Sequence, residues 1–319
     1  MSALTRSAVV ERVGGRVLAA FAVVYVIWGS TYFFIRLAIE TMPPLLMAGV
    51  RYVVAGSVLL AITRRLPGGA QDRIGLRQWR AAAITGGLLL LGGNGGVAYG
   101  EQFIPTGVAA LVVATVPLWI ALFGALFLRT RLRGLAVIGF ALGLLGTAVL
   151  VAPRTGSGGD LGHMLLLLCS PLTWAIGSLY ATRGALPRRP LVATGMEMLC
   201  GGILLVLAGL AIGEAGAVHL ERISVTSWLA LLYLIVFGSL LAFTCYIWLL
   251  TQVPTTAVAT YAYVNPLVAV LLGWAFLGER VTGQTLVAAA LIIAAVALIL
   301  SRSSSTAPRP PEVPMAEVV

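Results

Sequence analysis

Four polar side chains stand inside long apolar runs: Arg51, Asn94, Glu197 and Asn265. Arg51 offers a guanidinium, which binds carboxylates with two parallel hydrogen bonds. Glu197 offers a carboxylate that takes up a cation or a proton. The two are 146 positions apart in a chain that repeats itself at that spacing, so they are repeat mates of opposite charge. A charge at mid-membrane costs about 2.5–3.5 kcal/mol on insertion scales; it persists where it faces a wet cavity, meets a partner or, for Glu, is protonated. Arg51 is therefore expected to attract carboxylates in an outer vestibule. Glu197 is expected to be a proton-coupling site in an inner one, at the opposite depth. The structural alternative for both is a side chain that snorkels or caps a neighbouring helix.

Asn94 lies within Gly92-Gly-Asn-Gly-Gly96. Each glycine weakens a helix by about 1 kcal/mol relative to Ala and lets another backbone approach. A loosened span of this kind holds substrate in many transporters, which makes Asn94 a cavity-lining candidate; a packing amide is the alternative. Glu101 and Gln102 close the same run. They are a second proton-coupling candidate and a substrate contact, with a solvated loop pair as the alternative. Pro266 lacks the N–H that would bond the Ala262 carbonyl, and Tyr261 lies one turn before Asn265 on the same face. Tyr261 and Asn265 can thus present polar atoms to one ligand. Pro117 is the counterpart of Pro266, with Val116 in the place of Asn265, and both prolines are read as kinks. Trp28 and Trp174 form another pair at the 146 spacing. Deep tryptophans can stack on a flat or cationic ligand; core packing explains them equally well.

The elements that must carry these residues are apolar helices. Sixty per cent of the 319 residues are hydrophobic, 10% are charged and the mean hydropathy is +1.01. Soluble domains carry about 25% charged residues. Ten runs approach the roughly 20 residues of helix that cross a bilayer: 17–38, 43–63, 80–99, 105–128, 134–152, 161–182, 191–212, 228–250, 254–277 and 282–300. They fall into two sets of five. Pro105-Thr106, Pro117-Leu118, Leu122, Gly124, Phe127-Leu128, Arg131 and Gly134 recur 149 positions later; Trp28, Pro44 and Gly56 recur 146 later. An odd number of spans per repeat turns the second repeat upside down relative to the first, the plan of many secondary transporters. The expected fold is an all-α integral membrane protein, two inverted five-helix repeats around a central cavity. Its parts are an N-terminal tail 1–16, repeats 17–152 and 161–300, and a disordered tail 301–319.

The net charge of +10 comes from 21 arginines and no lysine. Sixteen of them fall in the two tails and the even-numbered side of the loops. Only Arg154, Arg222 and Arg280 fall opposite, which places both termini in the cytoplasm by the positive-inside rule. The arginines form no stripe with interleaved aromatics, so nucleic acid is not an expected partner; anionic lipid is. The first apolar run is too long for a signal peptide core. Cys169, Cys200 and Cys245 are widely spaced within apolar runs and read as packing residues. No metal-ligand cluster, phosphate-binding loop or paired carboxylate is visible, so neither metal, cofactor nor enzymatic activity is expected.

Several of these stretches together resemble the EamA-type members of the drug/metabolite transporter superfamily: Trp28-Gly-Ser30, Pro43-Pro44 with Arg51-Tyr52, the spacings Pro105-x11-Pro117 and Pro254-x11-Pro266, Tyr261-Ala-Tyr-Val-Asn-Pro266, and Leu277-Gly-Glu-Arg280. The likeness covers roughly residues 20–300. The chain departs from the pattern after the fourth run, where Arg129-Thr-Arg131 replaces a Leu-Gly-Glu-Arg ending, so nothing attached to that first-repeat Glu carries over. The resemblance implies ten transmembrane helices and a bacterial inner-membrane exporter of small metabolites, amino acids or amphipathic drugs, working as a monomer by alternating access. An importer is the alternative within transport. A membrane-embedded enzyme or a scaffold is the alternative outside it.

Overall fold

Apolar residues fill whole turns of these segments, so each helix buries one side against its neighbours and turns the other to lipid. The computed structural model describes residues 3–65, 74–128, 135–151, 161–253, 258 and 260–303, and the described residues contain helices and no strand. In chain order the helices are α1 (Ala3–Ile39), α2 (Pro44–Arg65), α3 (76–100), α4 (106–128), α5 (Leu135–Val151), α6 (Leu161–Ala181), α7 (Pro190–Ala211), α8 (225–252), α9 (Tyr261–Leu277) and α10 (Gly283–Ser303). Among the described residues, seven helical stretches are long and apolar enough to cross a membrane, within α1–α4 and α6–α8; Val137–Leu150, Tyr261–Leu277 and Gly283–Leu298 are shorter apolar helices. The Arg129–Arg133 loop, Pro254-Thr255 and the tail beyond residue 303 lie outside the described residues.

Two helices are loosened at matching places. α3 passes from α-helix into a π-helical stretch, Gly87–Gly95, and back; α8 does the same over Leu234–Leu241. π-helical turns are rare and cluster at functional sites. The loosening expected around the glycines of α3 is present, and its repeat mate in α8 forms without a glycine run. Helix α4 is interrupted at Ala114-Thr115, where Thr115 Oγ1 donates to Val112 O, and restarts at Val116 with Pro117 in its first turn. Pro266 sits inside α9, which begins at Tyr261 after a turn at Thr260. Helix α1 reaches back to Ala3, so it extends through most of the segment read as a tail.

The repeats meet along α2 and α7, which cross antiparallel. A Cβ on Gly56 would lie 2.6 Å from Leu199 N and 2.8 Å from Gly195 O; on Gly202 it would lie 2.6 Å from Val53 N and 3.0 Å from Gly49 O. Subtracting 146 turns one set of contacts into the other. The crossing is therefore its own image under a two-fold axis, the geometry that inverted repeats require. Helices α5 and α10 form a second antiparallel pair, with Gly146 against Leu291 and Ile292 and Gln284 Nε2 donating to Val149 O at 2.7 Å. The first helix of each repeat packs on the third and fourth helices of the other: α1 on α8 and α9, α6 on α3 and α4. The two halves are thus interleaved.

Candidate functional site

The interleaving builds two related clusters. In the first, α1, α2, α8 and α9 bring Trp28, Arg51, Tyr261 and Asn265 together. Arg51 is 4% exposed; its Nε donates to Ser239 Oγ at 2.8 Å and its guanidinium carbon lies 4.7 Å from the Tyr52 ring centre. Among the described residues its terminal nitrogens make no hydrogen bond and no ion pair. A buried guanidinium without a carboxylate leaves donors that a ligand's oxygens can satisfy. Gly238, next to Ser239, joins the arginine to the tryptophan. Its carbonyl accepts from Trp28 Nε1 at 3.1 Å, and a Cβ there would lie 3.2 Å from Arg51 Nη2. Trp28 also meets Phe243, Tyr246 and Tyr261 with ring centres 5.0–5.1 Å apart.

Asn265 is buried and spends its amide on the backbone. With that amide turned to donate, its nitrogen lies 3.2 Å from Tyr261 O and 3.3 Å from Tyr25 O. It therefore ties helix α9 to α1. Tyr261 faces the aromatic cluster rather than sharing a ligand-directed edge with Asn265.

The second cluster is the image of the first in α3, α6 and α7. Trp174 lies on Gly93 of the π-helical stretch in α3, where a Cβ would come 2.7 Å from its Cε3. Arg51 maps onto Glu197 at the 146 spacing. Glu197 has no hydrogen bond or ion pair among the described residues. Asn94, beside Gly93, is half-buried and also makes no side-chain hydrogen bond. The antiparallel register of α2 and α7 separates Arg51 and Glu197 by about six residues, or ~9 Å of helix, and they form no ion pair.

Glu101 and Gln102 lie apart from both clusters, at the end of the bundle opposite the chain termini. Gln102 is exposed and donates to Tyr99 O at 3.1 Å. Glu101 has no exposed surface, and neither carboxylate oxygen has a hydrogen-bond partner. The Arg36 guanidinium donates to its backbone carbonyl. Glu101 stands one residue beyond the span; burial, then the nearby charge of Glu279, push its carboxyl well above the usual carboxylate range, against an opposing pull from Arg36. Sequence reasoning missed Ser239 and the chain-distant role of Glu279. A serine among Leu, Phe and Gly carries no signal until its partner arginine is placed next to it.

In this conformation Arg51, Tyr52, Glu101 and Asn265 are all buried. Two apolar grooves lie elsewhere, one against α9 and α10 at Pro266 and Trp274, the other against α1 and α8 at Phe34 and Phe237.

Comparison with known proteins agrees with this architecture. A solved crystal structure superposes with a TM-score of 0.58 at 22% identity, covering 90% of this chain and 97% of the other, which shows a common fold. The uncharacterized inner membrane transporter YedA of Escherichia coli (strain K12) is 42% identical over 287 residues, 88% of this chain and 89% of that protein. A probable amino-acid metabolite efflux pump of Salmonella typhimurium is 26% identical over 287 residues, 85% of this chain and 90% of that protein. The EamA-like transporter family matches residues 16–152 and 161–301. Both repeats are covered, and the chain, a multi-pass inner membrane protein, belongs to the EamA-like transporter family.

Proposed function

We propose that the protein is a secondary transporter that exports small carboxylate-bearing metabolites, amino acids among them, by rocking its two halves about the α2–α7 crossing. One observation carries this reading: a buried arginine with unused donors sits between helices of both repeats, at Ser239 and Gly238. A ligand there touches both halves and gains or loses contacts as they move, which is what alternating access requires. The arginine distribution supports cytoplasmic termini, with the Glu101 end facing outward. The efflux-pump relative supports the export direction.

Energetics bound the coupling. With the inside negative, moving one positive charge outward costs about 2.3 kcal/mol per 100 mV. A cationic substrate needs proton exchange, for which Glu197 and Glu101 are the carriers; a zwitterion can leave down its own gradient. The test is efflux and uptake in proteoliposomes, screened over amino acids, other carboxylates and quaternary amines at two pH values. Outward movement of a carboxylate-bearing compound is expected. Movement confined to quaternary amines, or saturable uptake without efflux, overturns the proposal.

A further inference from the structure

The end of the bundle opposite the termini is fastened by two elbows of one design. Helix α7 is followed by Gly213 with φ +86°, and α9 by Gly278 with φ +66°, the left-handed conformation that glycine adopts without a Cβ penalty. A glutamate follows each glycine. Each carboxylate folds back over a glycine of the helix it has left, Gly209 or Gly273, and reaches a helix of the other repeat. Glu214 accepts from Leu45 N and Leu46 N at 3.1 and 2.8 Å, at the start of α2. Glu279 accepts from Thr106 N and Gly107 N at 2.6 and 3.1 Å, at the start of α4. A carboxylate at a helix N-terminus satisfies amides that have no partner within the helix and meets the positive end of its dipole. The repeat mates of the elbows are Pro67-Gly68 and Arg129-Thr130, which carry no carboxylate. Among the described residues, fastening of this kind is found at one end of the molecule.

Glu101 lies against the second elbow as a fully buried carboxylate with both oxygens unpartnered. Tyr32 and Arg36 of α1 and Glu279 of the α9 elbow act on it electrostatically, and the Arg36 guanidinium donates to its backbone carbonyl; Thr106 at the start of α4, held by Glu279 through its amide, has a buried and unpartnered hydroxyl, and His163 of α6 stacks on Phe103 with ring centres 3.8 Å apart. Two carboxylates thus stand close enough to interact, Glu101 buried and Glu279 half-buried. Glu279 uses its charge to hold α4, and Glu101 has nothing to hold.

We propose that Glu101 is a proton-binding site that governs the outer gate. Protonated, it lets Glu279 keep its hold on α4 and the gate stays shut. Ionised, it sets a second, unsolvated negative charge beside Glu279, and the elbow releases α4. The sign follows from linkage: a carboxyl raised above its usual range favours the shut state below the raised value, and that preference is lost as pH rises through it. The inference rests on the alternating-access reading, because only a transporter has an outer gate to work.

The test needs no substrate. In the full-length chain Cys169, Cys200 and Cys245 are replaced by alanine, and one cysteine is introduced: Val108→Cys, buried in the first turns of α4, or Leu220→Cys, exposed at the same end. Both proteins, in detergent micelles, react with a cationic methanethiosulfonate between about pH 5 and pH 9, and the Val108 rate is divided by the Leu220 rate to cancel thiol ionisation. The ratio is expected to rise roughly tenfold or more with pH, to stay low and flat with Glu101→Gln, to keep its rise with Glu101→Asp, and to be high and flat with Glu279→Gln. A ratio that still rises with Glu101→Gln, or that stays as low with Glu279→Gln as in the parent, overturns the inference. Such a result leaves proteoliposome efflux untouched. Loss of efflux with an intact pH response counts against the transport reading alone.

Discussion

Trp28 donates through Nε1 to the carbonyl of Gly238, 3.1 Å away and on the opposite repeat, inside a π-helical turn of α8. Trp174, its repeat mate, lies against Gly93 in the π-helical stretch of α3. Each half therefore rests an indole on the loosened helix of its counterpart. Replacing Trp28 by Phe keeps the ring contacts and removes one hydrogen bond, so a loss of about 0.5–1.5 kcal/mol is expected, read as a lower Tm of the purified protein.

The α2–α7 crossing tolerates no added carbon. A methyl on Gly56 meets backbone atoms of Leu199 and Gly195 rather than a pliable side chain. Gly56→Ala should cost about 1–3 kcal/mol, and Gly202→Ala a similar amount because it meets the image of the same contacts. Gly216→Ala, with open space around it, should leave the Tm unchanged. Unequal losses at Gly56 and Gly202 would show that the two-fold relation is not energetic.

Arg51→Ala should slow export of carboxylate-bearing substrates roughly tenfold or more, about 1.4 kcal/mol, while neutral substrates are spared. Ser239→Ala removes one hydrogen bond from the arginine and should have a milder effect of the same selectivity. Equal loss for charged and neutral compounds would assign Arg51 a purely structural part.

Asn94 has no side-chain partner to lose. Asn94→Ala is therefore expected to change stability by less than about 0.5 kcal/mol, read as a nearly unchanged Tm, while raising the apparent KM for export. A fall in Tm with unchanged KM would make it a packing residue.

Glu197→Gln keeps shape and removes the titratable group. If Glu197 carries the coupling proton, the variant exports with a rate that no longer follows the pH gradient across the vesicle. An unchanged pH dependence would return that role to Glu101 or to uncoupled transport.

Much of this architecture was legible in the sequence, because lipid demands unbroken apolar helices and duplication leaves matched residues at a constant offset. Arg51, Glu197 and Asn94 were found as polar groups in the wrong solvent, and the glycines around Asn94 announced a loosened helix. The second loosened stretch was not legible: Leu234–Leu241 reads as any apolar helix, and the Trp28 and Arg51 side chains that bond to it come from distant helices. Asn265 was legible as polar but not in its use, since the Tyr25 carbonyl that receives it is more than 200 residues away. The roles of Glu214 and Glu279 were not legible for the same reason; the amides they bind belong to distant helices.

The paired wide turns give the molecule slack. A π-helical stretch spreads its backbone bonds over one residue more than an α-helix does. Drawing it back to α pitch shifts everything beyond by about 1.5 Å and swings it by roughly 100° about the axis. Because α3 and α8 each hold one such reserve, at corresponding depths and under the other half's indole, tightening one while loosening the other trades equal lengths of chain without breaking a single helix.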